Sequence, residues 1–121
     1  MNLILTTSQV KETILPKVSR SILGVVRALY NEGSRTILVK YLEPQGYGPF
    51  YITYLSITSN DLDQHGFSIY YNDAVLHSNI ILWYHLSFIC KKLTDAKIIY
   101  INTYDIVYDF FASPSKYGIY L

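Results

Sequence analysis

The most apolar stretch of the chain, Ile80-Ile-Leu-Trp-Tyr-His-Leu-Ser-Phe-Ile-Cys90, is far shorter than the roughly 20 residues a membrane span needs, and His85 interrupts it. It has to be covered by other parts of a folded protein. It sits within Leu76 to Leu93, where Ile80, Trp83, Tyr84, Ser87 and Phe88 recur at spacings of three and four and Lys91 and Lys92 suit a helix C-terminus. The spacing predicts a largely buried helix. The composition can supply the cover: half of the 121 residues are hydrophobic, 13 are Tyr, and only 16% are charged, which excludes a disordered chain. The length suits one or two small domains. The lone Cys90 cannot form an internal disulfide, so a reducing compartment is expected. The opening residues, Met1 to Val10, show neither a secretory signal nor an Arg-rich import presequence.

Upstream, Val18, Ile22, Val25, Val26 and Leu29 follow helical spacing between Pro16, tolerated in a first turn, and the stop Asn31-Glu-Gly33. A helix over about 16–31 is expected. Ser34 to Glu43 alternates Ile37, Val39 and Tyr41 against Thr36, Leu38 and Lys40, is rich in β-branched residues and reads as a strand. The turn formers of Pro44-Gln-Gly-Tyr-Gly-Pro49 then suggest a hairpin to a second strand, Phe50 to Ser59, followed by a short third strand, Phe67 to Tyr71. After the apolar helix, Lys97 to Asn102 returns to strand, and Tyr104, Val107, Tyr108 and Phe111 keep helical spacing up to Pro114. The expected class is α+β in two small subdomains. One, residues 1–73, packs a helix on a short antiparallel sheet; the other, residues 74–121, is an α/β half carrying an inserted apolar helix over 76–95.

Charge is distributed unevenly. Residues 1–40 carry six bases and two acids, whereas residues 41–90 carry Glu43, Asp61, Asp63 and Asp73 and no base. The near-neutral total conceals a basic N-terminal third that could meet a polyanion, although on charge alone an ordinary solvated helix face is the better reading. Motifs for catalysis are sparse. His65, His77 and His85 form no i, i+4 pair, and the loop Asp61-Leu-Asp63-Gln-His65 uses residues that make turns as readily as they bind a cation. Cys90, in an apolar run, reads as packing. Tyr104 and Tyr108 near Asp105, Asp109 and Lys116 could be drawn as nucleophiles for DNA strand transfer, but the histidine pair such chemistry wants is missing. No phosphate loop, dinucleotide fingerprint or Gly-x-Ser-x-Gly elbow occurs.

Read in order, Pro16 to Gly33, Val39-Lys40-Tyr41, Ile52-Thr-Tyr-Leu55 with Ser59, Ser68-Ile-Tyr-Tyr71, and Ile98 to Thr103 followed by Ile106 to Ala112 and Tyr117-Gly118 resemble the small-subunit ribosomal protein eight family of bacterial and organellar ribosomes. The signature loop of that family survives only at Thr103. The resemblance implies a non-enzymatic structural constituent of the ribosomal small subunit that binds and helps assemble the central domain of its rRNA, beside neighbouring ribosomal proteins, with no cofactor and no small-molecule substrate. It implies RNA contacts at Lys17, Ser19, Arg20 and Arg27, at Arg35 and Lys40, at Asn102, Thr103 and Tyr104, and at Lys116. An organelle-encoded mitochondrial protein would combine the Tyr and Ile enrichment with the missing presequence. The alternative expectation is a non-catalytic intracellular interaction module that dimerises through the helix from Leu76 to Cys90.

Overall fold

A computed structural model describes residues 6–54 and 58–120. Helical turns at Thr7–Gln9 and a wide π-helical turn at Val10–Ile14 lead into α1, Leu15–Asn31. Pro16 falls in the first turn of α1, where its missing N–H and its ring meet a widened backbone instead of a regular ladder. The stop is as expected: Gly33 takes φ 101°, and Gly33 N–H and Ser34 N–H donate to the carbonyls of Tyr30 and Leu29. β1, Thr36–Lys40, follows with Ile37 and Val39 buried and their neighbours exposed.

The partner of β1 corrects the expected hairpin. β1 pairs in parallel with β2, Lys97–Ile101, and the described sheet has these two strands. Parallel neighbours need a long crossover, and α3, Ile69–Cys90, lies within it. The expected second strand is instead α2, Pro49–Tyr54, followed by residues outside the described range and a 3₁₀ turn at Ser59–Asp61. Pro49 opens that helix where no N–H is needed, and aromatic residues form strands only when a sheet face awaits them. The expected third strand shrinks to one antiparallel bridge, Leu62 with Ser68, before α3 begins. The antiparallel sheet is therefore not formed, while the α+β class holds. α4, Thr103–Ala112, and a 3₁₀ turn at Pro114–Tyr117 complete the chain.

By contacts the chain divides into two units, each drawn from two stretches. Unit one joins Met1–Val39 to His77–Ile101, and unit two joins Lys40–Leu76 to Asn102–Leu121. In unit one, Leu23 and Val26 of α1, Ile37 and Val39 of β1, and Leu82, Leu86 and Ile89 of α3 form the core. α3 has no single apolar face: Val75, Leu82, Leu86 and Ile89 are buried while Ile80, Trp83, Tyr84 and Phe88 are exposed, against the expectation of a largely buried helix. Among the described residues no helix is long and apolar enough to cross a membrane.

Unit two depends on one close approach. Gly46 N–H donates to Asn72 Oδ1 at 2.8 Å, and Ser68 N–H donates to Gly46 O at 2.9 Å. A Cβ on Gly46 would overlap Ser68 O and stand 2.8 Å from Asn72 Oδ1, so only glycine lets the loop lie there. Gly24, in contrast, faces open space in the middle of α1. Gly46→Ala should lower the denaturation midpoint by the equivalent of about 2 kcal/mol or more. Gly24→Ala should raise it by about 0.5–1 kcal/mol. Equal midpoints for the two variants would refute this packing.

Candidate functional site

Unit two holds a cavity of about 600 Å³, within the range of small-molecule sites. Its floor is Asn72 and Tyr104, which are 6% and 7% exposed. Ile69 and Leu76 supply apolar wall, and Asp73 and Asp105 stand on the exposed rim. The pair Asp63 and Tyr108 closes one side.

Each lining group is set by local sequence. Asp63 heads a tight turn: its Oδ1 accepts from His65 N–H at 2.8 Å and Phe67 N–H at 3.0 Å, and Gly66 supplies the positive φ of 78°. Its Oδ2 accepts from Tyr108 OH at 2.7 Å. Burial pushes the Asp63 carboxyl up, but the donors from Tyr108, Phe67 and His65 outweigh it and hold the carboxyl below the ordinary range. The same bond pushes the Tyr108 phenol up to about 12. α4 begins at a reciprocal cap: Asn102 Oδ1 accepts from Asp105 N–H, and Asn102 Nδ2 donates to the Asp105 carboxylate at 2.7 Å. Thr103 Oγ1 ties that start to the carbonyl of Tyr41 at 2.7 Å. Tyr104 then points inward, its phenol pushed up by burial and by the charges of Asp105, Asp63 and Asp73.

Two buried polar atoms have no partner among the described residues, Ser68 Oγ and Asn72 Nδ2. Only Asn72 lines the cavity. Its amide is oriented by Gly46, because an N–H donor must meet the oxygen and so leaves the NH₂ group over.

The expected contact residues fall in both units. In unit one, Lys17, Arg20 and Arg27 stand exposed along α1. Ser19 is 2% exposed and shares a 2.8 Å hydrogen bond with His85 Nδ1. Arg35 pairs with Asp95 at 2.9 Å and lies over the Tyr30 ring. In unit two, Lys40 pairs with Glu43 and Lys116 with Asp109. Asn102 and Thr103 are committed to the start of α4, and Tyr104 is too buried to stack on a splayed base. Asp61, Asp63 and His65 do not converge: no metal-type cluster of three such side chains occurs among the described residues. Asp61 instead accepts from Thr58 across a capping box. The sequence pattern missed Asn72, Asp73 and Leu76 as lining residues because Asn72 and Asp73 fall in the expected break after the third strand and Leu76 at the start of the expected insertion.

Ser19 and His85 imitate half of a hydrolytic triad. The serine is enclosed between α1 and α3, where no ester carbon can reach it. A fluorophosphonate probe should therefore leave Ser19 unlabelled, and recovery of a labelled Ser19 peptide by mass spectrometry would contradict this packing. The Asp63–Tyr108 bond has a pH signature. The raised phenol stabilises the fold below about pH 10, the ordinary tyrosine value, and that contribution is lost as pH rises through about 12. The lowered carboxyl contributes above its ordinary range and loses that contribution as pH falls through its depressed value. Tyr108→Phe should cost about 1–2 kcal/mol near neutral pH, with the difference from the parent shrinking at both extremes of a denaturation series.

Comparison with known proteins places the chain elsewhere than the ribosome. It is 38% identical to a GDSL esterase/lipase of Arabidopsis thaliana over 105 residues, 87% of this chain and 28% of that protein. It is 33% identical to the GDSL esterase/lipase LIP-4 of the same plant over the same shares. The GDSL esterase/lipase ENOD8 of Medicago truncatula is 28% identical over 116 residues, 96% of this chain and 29% of that protein. The chain thus spans less than a third of the length of these relatives. No family model and no solved structure matches it. These likenesses overturn the ribosomal resemblance and what it implied: a non-enzymatic role, rRNA and ribosomal proteins as partners, and the absence of a small-molecule substrate. They equally displace the non-catalytic dimerisation module. The resemblance rested on the order and spacing of short segments from Pro16 to Gly118 with few identities in each, and elements such as a helix closed by Glu-Gly and a following strand are shared by many helix–strand units.

Proposed function

We propose that the chain serves as part of a GDSL-type ester hydrolase, a protein that cleaves carboxylic esters. The observation that carries this reading is the 38% identity over 105 residues to a protein named an esterase/lipase. The fold is compatible with it. A parallel strand pair with a helical crossover is the unit of α/β enzymes, whose ligands gather beyond the carboxyl ends of the strands.

The four letters of the relatives' name, read as Gly-Asp-Ser-Leu, occur nowhere as a run in the 121 residues. In this reading the attacking group is supplied by sequence other than these residues, and the chain contributes scaffold and binding surface beside it. The exposed apolar residues of α3, with Leu38 on β1 and Val25 on α1, suit a segment that packs against more protein.

Grafting tests the reading directly. Replacing the aligned 105 residues of the Arabidopsis relative with those of this chain should give a protein that hydrolyses p-nitrophenyl butyrate within about tenfold of its parent, since well-matched cores tolerate extensive hydrophobic substitution. A folded chimera that is inert while the parent turns over would overturn it.

A further inference from the structure

We propose that the cavity of unit two binds an organic cation, a protonated amine on an apolar body, with the ammonium group held by the hydroxyl of Tyr104 in the field of Asp63 and Asp105 and the body laid on Ile69 and Leu76. The inference stands on the chemistry of the cavity and does not depend on ester hydrolysis.

Tyr104 imposes the first requirement. It lines the cavity and is only 7% exposed, yet its hydroxyl takes part in no hydrogen bond among the described residues. That oxygen is not sealed off, as Ser68 Oγ and Asn72 Nδ2 are, and so keeps an open side. The charges that act on it are those of Asp105, Asp63 and Asp73, all of which line the same cavity, and this places its open side there. Burial and those charges keep the phenol protonated, which leaves a neutral hydroxyl with lone pairs free to accept. Polar groups this deeply buried are normally hydrogen-bonded, and for Tyr104 the partner has to come from the cavity side.

The wall imposes the second, the sign of the ligand. Among the described residues that line the cavity three are acids and none is a base. Asp63 accepts from Tyr108, His65 and Phe67, and Asp105 accepts from Asn102. Those donors are a phenol, two backbone amides and a carboxamide, all neutral, so they occupy lone pairs and leave the negative charge in place. Only that charge is asked of Asp63 and Asp105, and Asp73 is not needed for it. A carboxylate or phosphate is repelled by such a wall. A divalent metal ion has the right sign, but the acids form no metal-type cluster among the described residues, and an ion makes no use of the apolar wall of Ile69 and Leu76. A protonated amine donates to the Tyr104 oxygen, is drawn by both carboxylates, and finds the rings of Tyr104 and Tyr108 nearly parallel beside it. Its apolar body covers Ile69 and Leu76, and about 600 Å³ accommodates a ring with a short chain.

The test titrates the whole chain at neutral pH with 2-phenylethylamine, protonated there, and separately with its uncharged isostere 2-phenylethanol, followed by two-dimensional NMR. The amine should shift the backbone amides of Asp63, Tyr104, Asp105 and Tyr108 along one saturable curve, and bind about tenfold or more tightly than the alcohol. Its affinity should fall as salt is raised, because the attraction is between charges at an open cavity. Tyr104→Phe removes the hydroxyl and keeps the ring, so amine affinity should drop by about tenfold. Leu76→Lys, a change at an exposed position, sets a rival ammonium group at the cavity and should abolish the shifts even if the Tyr104→Phe variant fails to fold. Alcohol binding as tight as that of the amine would overturn the proposal in favour of a neutral ligand. The absence of a saturable curve with the amine, or amine shifts undiminished in folded Tyr104→Phe or in Leu76→Lys, would overturn it outright.

Discussion

The contact of Gly46 with Ser68 and Asn72 is the constraint on which unit two depends. The loop after β1 must pass so close to the start of α3 that no side chain fits at Gly46, and the loop is hydrogen-bonded there through both its N–H and its carbonyl. Such contacts exclude water and leave polar groups no second choice of partner. Asn72 uses its carbonyl oxygen to hold the loop, and that leaves its NH₂ group buried with nothing to donate to among the described residues. Fold and site are thus consequences of one side chain placed between them.

What could be read from the sequence was local. α1, β1, β2 and α4 lie close to their expected positions because each has a local pattern of its own: the Glu-Gly closure of α1, the alternation over Ile37 and Val39, the helical spacing of Tyr104, Val107, Tyr108 and Phe111 up to Pro114. What could not be read was long-range. Strand composition does not say which strand pairs with which, and β1 met β2 across the whole of α3 instead of its nearest neighbour. Phe50 to Tyr54 has strand-forming residues but no sheet face to occupy, and it coils after Pro49. Gly46 looked like one more turn glycine, since close approach leaves no trace in the residues on either side. The cavity was invisible for the same reason: Asn72 and Tyr104 are 32 positions apart in the sequence, and a three-dimensional packing event brings them together.

The uneven charge takes on a different meaning in the folded chain. Three of the bases expected to meet phosphates are engaged by acids: Arg35 by Asp95, Lys40 by Glu43 and Lys116 by Asp109. These exposed pairs add little stability, but they remove free cations that an RNA surface would need. The acidic middle is where the consequence falls. Asp63 and Asp73 reach the cavity, Asp105 joins them from α4, and together they press on the phenol of Tyr104.

Ser19 with His85, and Asn72 with its idle amide, show why satisfied and unsatisfied polar groups carry different information. A buried serine bonded to a histidine has the residue types of a catalytic pair, yet its bond is complete and its surroundings are apolar core, so it contributes to packing α1 on α3. Burying a polar group without a partner costs on the order of 1–3 kcal/mol. The chain bears that cost at Asn72 beside a cavity with exposed acids at its rim. A fold selected for stability alone would place a smaller or apolar residue there, except that Gly46 N–H requires an acceptor. Aspartate would meet that requirement only by adding a fourth carboxylate to Asp63, Asp73 and Asp105, whereas asparagine meets it without charge, at the cost of one buried donor.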